Sequence, residues 1–500
     1  MSAFLRVLSF IFNIVALVVN EITNLIIPRR KPNYPPIKNP LLLKSVTELL
    51  GDLKERKITS YEIVTAYIER IKEVDSKLNA VVEHRYNEAL KEARHADNLI
   101  SKAQDDMQLM LLFSRYPLLG IPFTVKEACG LKDLSHSVGS VARKEEKSAT
   151  NGDVVELVRA AGAIPLLVSA NPEFCLAFDG ESIVSGKCLN PYDLRRSSGG
   201  SSSGEGTLNG AGASTFGLAS DISGSIRLPS LFCGVFGHKP TGGLTSVKGH
   251  FPFSTKEPEF PFFLQMGPIT RFAKDLPLLL QIMAGENAAK LKLTENVDFS
   301  KLKIYYSYSM GSMLHVPVDF EIKLAITMAV KCFEKGGIKT EELHLAELQD
   351  AIEICLSSLA GIKGLPSVVT QSVTDKPNKL ELIQKIAQSL FGLAPYTTMP
   401  LFVELMILNI LGTNGVLILP TYHKTANFFK GCSLLNISGV IFMLLFNVLG
   451  FPATHVPMGL DRNGLPVGFQ VVAAPYMDKL CLQVATEMEA AFGGWVQPQV

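Results

Sequence analysis

The chain carries almost no net charge and shows no grouping of residues that would hold a metal. Its 48 Lys and Arg face 47 Asp and Glu, for a formal charge of +1, and no basic stripe is concentrated in its body. Nucleic-acid binding needs positive charge gathered on one face, so nucleic acid is not an expected partner. Eight cysteines, at 129, 175, 188, 233, 332, 355, 432 and 481, include no Cys-x-x-Cys pair. They are too sparse for a disulfide framework and badly spaced for zinc. Nine histidines are equally dispersed, with no His-Glu-x-x-His. Each is expected on the surface or in the core, and neither a metal nor another cofactor is indicated. No long internal repeat is present. With 47% apolar and 19% charged residues, the chain is not disordered either, and 500 residues suffice for a sizeable core.

The amino terminus departs from this pattern. "FLRVLSFIFNIVALVVNEITNLII" (4–27) is apolar apart from Arg6, Glu21 and a few small polar residues. A bilayer takes about 20 such residues, and Val7–Ile27 reaches that length. No small-residue cleavage site follows, which favours an uncleaved anchor over a secretory signal. Asn13, Asn20 and Glu21 keep open a helix lying in the interface instead. Residues 1–27 are therefore read as a transmembrane or interfacial anchor, single-pass or monotopic, and the basic, Pro-rich 28–40 as a linker. Arg29, Arg30 and Lys31 outweigh Arg6 plus the terminal amine, so the positive-inside rule puts the body of the chain in the cytosol.

The remaining residues, 41–498, read as one α/β unit. Ser45-x-x-Glu48 and Thr59-x-x-Glu62 are capping-box signatures that open two amphipathic helices within 45–83. Strand-length apolar runs follow at 119–127, 163–170, 302–309, 415–420 and 466–474, with helical patterns between them at 152–162 and 319–336. That alternation implies a large parallel or mixed sheet flanked by helices. The apolar 434–457 is long enough, on hydropathy alone, to span a membrane.

One stretch resists a structural reading. Residues 197–230 hold 18 Ser or Gly in 34 positions, a linker composition. Yet they run without a break into "IRLPSLFCGVFGHKPTGG", where a linker would stay polar. Small residues let consecutive backbone N–H groups face a ligand without a Cβ in the way. In "DISGSI" (221–226) such groups could converge on one oxygen, as an oxyanion hole requires. Gly200-Ser201-Ser202-Ser203-Gly204 matches the G-x-S-x-G of a nucleophile elbow, but the residues before it are turn-like rather than a strand, so the match is read as accidental. Lys126 ends an apolar strand-like run. Such a lysine either snorkels to water or, if buried, has its charged form disfavoured and becomes a base. Asp221 and Arg227 flank the "DISGSI" loop, as a brace or as a solvated pair.

In order and spacing, "VKEA", "NPYD" with "GGSSSGEG", "SDISGSIRLPS" with "GVFGHKPTGG", and "GPITRFAKDL" resemble the amidase-signature hydrolases. "NPLLLKSVTELLGDLKERKITSYEIV", "LPVGFQVVA" and "FGGWV" look most like the fatty-acid amide hydrolase branch. The resemblance implies the amidase-signature α/β fold, with a twisted mixed sheet, and a Ser–Ser–Lys triad: Ser225 as nucleophile, Ser201 as bridging serine after a cis peptide bond, Lys126 as base. It implies an oxyanion hole from the N–H groups of Ile222, Ser223, Gly224 and Ser225, with Asp221 and Arg227 behind the loop. It implies a lipid amide substrate, a buried core helix across 434–457 and no cofactor, and it leaves a homodimer open; 381–408 falls where the family has a membrane-binding cap, with a core helix pair as the alternative. The chain departs from the pattern at Ser223 and Ser203, where glycine is usual, and in a shortened stretch near 402–414. Two other readings remain: a subunit of amidotransferase type, and a weak or inactive membrane-attached lipid-binding homologue. The aromatic run at 249–265 is either the wall of an acyl pocket or plain core.

Overall fold

Reciprocal caps start the helical layer where the sequence places them. The Ser45 N–H donates to Glu48 Oε2 at 2.8 Å while Glu48 N–H donates back to Ser45 Oγ, opening the helix Val46–Lys54. Thr59 and Glu62 repeat the arrangement at the start of Ser60–Leu78. Each box satisfies two backbone donors that a helix start leaves orphaned. Ile63, Val64, Tyr67, Ile68 and Ile71 then fall on one buried face. The computed structural model describes residues 34–254, 256, 260–310, 317–344, 411–428 and 437–499, with isolated positions 11, 14, 15, 18, 19, 22 and 26.

Eleven of the described strands form one mixed sheet. In chain order the strands are β1 (Val81–His84), β2 (Pro122–Lys126), β3 (Ile164–Ser169), the small hairpin β4 (Glu181–Ser182) and β5 (Gly186–Lys187), β6 (Phe216–Asp221), β7 (Phe236–Lys239), β8 (Gln265–Thr270), β9 (Lys303–Tyr306), β10 (Lys339–Glu342), β11 (Gly415–Leu419), β12 (Ala453–Leu460) and β13 (Pro466–Ala473). The large sheet runs β1-β3-β2-β6-β8-β7-β12-β13-β11-β9-β10. All five apolar runs read from the sequence are strands of it, and the helical patterns fold as Asp153–Ala160 and Phe320–Lys335.

β2 is parallel to both β3 and β6. The carboxyl ends of β2 and β6, Lys126 and Asp221, therefore finish at the same edge of the sheet. Ligands of open α/β sheets bind at that edge. β2, β3, β6, β8 and β13 are buried along their whole length, which explains why they read as continuous rather than alternating apolar runs.

The expected core helix across 434–457 is three elements, the first a short 3-10 helix, Ile437–Val440. A buried helix, Ile441–Val448, is followed by β12. Among the described residues no helix is long and apolar enough to cross a membrane. Apart from the seven isolated positions, the anchor read at 1–27 lies outside the described residues. So do the cap at 381–408 and most of the shortened stretch near 402–414.

Candidate active site

The buried end of β2 carries an amine. Lys126 is fully shielded from solvent, and its Nζ lies 2.7 Å from Ser201 Oγ and 3.0 Å from Ser220 Oγ. Ser220 is on β6, whose pairing with β2 brings it to the lysine. Ser201 follows a cis peptide bond with Gly200 and precedes the wholly buried helix Ser203–Gly210. The Ser202 N–H donates to the carbonyl oxygen of Ser225 at 3.2 Å, stitching the two serine loops together. Ser225 is 3% exposed, and its hydroxyl makes no hydrogen bond with a described residue. The serine at the centre of the G-x-S-x-G match, Ser202, points its hydroxyl at the Ser220 carbonyl oxygen, and the segment before it contains no strand of the large sheet.

The loop after β6 is held from within. Asp221 Oδ1 accepts from Gly224 N–H at 2.7 Å, and Oδ2 accepts from Ile226 N–H at 3.0 Å. Arg227 grips the same carboxylate from Nε at 3.1 Å and Nη2 at 3.0 Å, with both side chains fully buried. This is no solvated pair. Burial alone would raise the Asp221 carboxyl, but the Arg227 guanidinium and the loop N–H groups outweigh it and hold the group well below the usual carboxylate range. The far side of Arg227 is occupied by Gln470 Oε1 at 2.9 Å and Asn447 Oδ1 at 2.6 Å.

Of the four N–H groups assigned to an oxyanion hole, that of Gly224 is already committed to Asp221. Those of Ile222, Ser223 and Ser225 make no hydrogen bond with a described residue. Gly224 sits at φ +111°, and a Cβ there would collide with Met443 Sδ, so the position demands glycine both sterically and conformationally. Ser223, where the family pattern has glycine, is partly exposed.

Besides Cys175, three neighbours of Lys126 escaped the sequence reading. Ser220 is one. His250, from the loop ahead of β8, is another: its Nε2 lies 2.9 Å from Ser220 Oγ and its Nδ1 2.9 Å from Pro252 O. The third, Glu205, lies in the helix after Ser201 and takes hydrogen bonds from Thr124 Oγ1 at 2.5 Å and Ser169 Oγ at 2.7 Å. Burial pushes its carboxyl up to about 7 despite those hydroxyls. It fits only because Gly217 on β6 has no side chain; a Cβ there would run into Glu205 Oε2. The aromatic run divides: Phe260 is core and packs edge-on against Phe253, while the Phe251 ring lies 5.3 Å from that of Phe174, tilted by 48°.

Residues 62–393 match the family model named Amidase. Fatty-acid amide hydrolase 2-A of Danio rerio is 36% identical over 93% of this chain and 91% of its own length. Fatty-acid amide hydrolase 2 of Homo sapiens is 34% identical over 93% and 92%. A glutamyl-tRNA(Gln) amidotransferase subunit of Ruminiclostridium cellulolyticum is 26% identical over 90% and 97%. Among solved structures, a fatty acid amide hydrolase superposes with a TM-score of 0.72 at 21% identity, covering 92% of this chain and 86% of the other.

Proposed function

The chain belongs to the amidase-signature family and is an amide hydrolase of the fatty-acid amide hydrolase type, and from that premise we propose that it is a membrane-anchored serine hydrolase cleaving fatty-acid amides, primary amides or N-acyl ethanolamines, on Lys126, Ser201 and Ser225. The observation that carries the reading is the 2.7 Å contact between a buried lysine and Ser201, on a loop joined to that of Ser225.

Ser225 Oγ attacks the amide carbonyl carbon as its proton passes to Ser201 Oγ, while the Ser201 proton passes to neutral Lys126. The Ser225 hydroxyl, held by no other described residue, turns to Ser201 for this step. Negative charge grows on the carbonyl oxygen, where the N–H groups of Ile222, Ser223 and Ser225 receive it. One such donor is worth about 3 kcal/mol of barrier. The proton then returns from Lys126 through Ser201 to the amide nitrogen, the C–N bond breaks and the amine leaves. Water attacks the acyl-Ser225 ester by the same relay and releases the fatty acid. An amine is a poor leaving group, so its protonation matters more than it would for an ester.

In this reading residues 41–498 are the catalytic domain, 28–40 a linker and 1–27 the anchor, with the domain on the cytosolic side and 381–408 as a second membrane contact. The described positions Ile11, Ile14, Val15, Val18, Val19, Ile22 and Ile26 are helical, recur at helical spacing and are 40–71% exposed. An apolar face at that spacing suits a lipid surface. The higher identity to the fatty-acid amide hydrolases favours this reading over that of an amidotransferase component.

A fluorophosphonate probe tests the nucleophile. The full-length protein is expected to label, and Ser225→Ala to fold and lose labelling along with several orders of magnitude in turnover. Labelling that persists, or that maps to Ser202, overturns the assignment.

A further inference from the structure

We infer that His250 is a positioning residue for Lys126: by taking the proton of the Ser220 hydroxyl in a hydrogen bond, it leaves the lysine lone pair to Ser201. The inference rests on the reading of Lys126 as the base.

The direction of each hydrogen bond follows from what each atom can do. Pro252 offers His250 Nδ1 only a carbonyl oxygen, at 2.9 Å. A carbonyl accepts, so Nδ1 carries the hydrogen. Burial pushes the imidazole down to about 3. The ring is neutral, and Nε2 is a bare acceptor. The hydroxyl 2.9 Å away, on Ser220, therefore donates to it. That spends the only proton Ser220 has and leaves its oxygen to accept from Lys126 Nζ at 3.0 Å. With one N–H given to Ser220, the free electron pair of a neutral lysine is available to the Ser201 hydroxyl at 2.7 Å.

Without the imidazole, the Ser220 proton is free to turn toward the amine. It would then occupy the lone pair that Ser201 needs, and the base would be blocked by a neighbour rather than removed. His250 is buried and makes its side-chain hydrogen bonds to Ser220 and Pro252. It acts through Ser220 rather than on the substrate.

The test uses the full-length protein with a long-chain fatty amide and measures kcat, KM and the rate of fluorophosphonate labelling. His250→Leu is expected to lower kcat and the labelling rate together by about 10- to 100-fold, within the range for a positioned acid–base group, with KM little changed. His250→Gln, whose amide oxygen also accepts, is expected to recover most of that loss. His250→Leu with Ser220→Ala is expected to match Ser220→Ala alone, because no proton remains to compete. Wild-type turnover in His250→Leu, no recovery by His250→Gln, or losses that add to those of Ser220→Ala would each overturn the inference. Should His250→Leu not fold, His250→Gln against His250→Ala carries the same comparison. Lys126→Ala separates the two levels: full activity there overturns the base itself, whereas inactivity there beside a fully active His250→Leu overturns the role of His250 alone.

Discussion

Asp221 Oδ1 takes the N–H of Gly224 at 2.7 Å, so the carboxylate that shapes the serine loop also uses up one of its donors. The same side chain neutralises a guanidinium with no access to water. Asp221→Asn keeps the shape, removes the charge and strands Arg227 among neutral oxygens. Breaking a buried pair in this way costs about 3–5 kcal/mol. Because the Asp221 carboxyl is depressed in the fold, its contribution is fully present above its unfolded value of 3.8 and is lost only as pH falls through the lower folded value. Denaturation midpoints of the variant are therefore expected to lie below wild type by the same margin at every pH above about 5.

Lys126→Ala separates a base from a packing residue. If Lys126 both removes the proton from the nucleophile and returns it to the leaving amine, amide turnover falls further than turnover of the matched ester. The gap is expected at about 10²- to 10⁴-fold, the range of a positioned acid–base group. Parallel assays of a fatty amide and its ester analogue read it directly. Equal, small losses on both substrates would make the lysine structural.

Gly224→Ala meets two penalties, a backbone at φ +111° and the Met443 sulfur. A destabilisation of roughly 2–4 kcal/mol is expected, combining left-handed strain with overpacking. Met443→Ala alone leaves a cavity costing about 2–5 kcal/mol. The double variant is expected to cost less than the sum, since each change relieves the other's fault while the strain remains. A double-mutant cycle on thermal stability measures the shortfall.

Two buried groups give the stability profile opposing slopes. Burial raises Glu205 from 4.5 to about 7, so between those values the fold holds a proton that the unfolded chain has released, and stability falls as pH rises. Burial, aided by Arg227, lowers Lys239 from 10.5 to about 7. Across that window the unfolded chain holds the extra proton, and stability rises with pH. Each slope is at most about 1.4 kcal/mol per pH unit. Glu205→Gln is expected to flatten the acid limb and Lys239→Met the alkaline limb, read from urea midpoints across the range. A limb unchanged by its variant would show that the group keeps its ordinary proton affinity in the fold.

What could be read from the sequence was local or motif-borne. The capping boxes at Ser45 and Thr59 need only residues three apart, and five strand runs show in composition alone. Lys126, Ser201 and Ser225 came from ordered motifs. Ser220 opens the quoted "SDISGSIRLPS", but its pairing with His250 gave no signal, because their contact depends on where the loop ahead of β8 crosses the end of β6, and an isolated histidine carries no spacing. Glu205 was equally hidden, since its burial depends on the missing side chain of Gly217 one strand away. The resemblance implied one core helix across 434–457, and composition could not correct it, because a fully buried helix and a fully buried strand look alike by periodicity. Pro452 parts them.

Arg227 is held on its outer side by Asn447 and Gln470. Every reacting group of the proposed relay is encoded by residue 250, but the brace behind their loop is completed only by the second-to-last element of the chain. The residues of the proposed relay and those that steady its loop are thus far apart along the chain and meet only in the folded sheet. A chain cut between 250 and 446 is therefore expected to keep Lys126, Ser201 and Ser225 while losing both outer partners of Arg227.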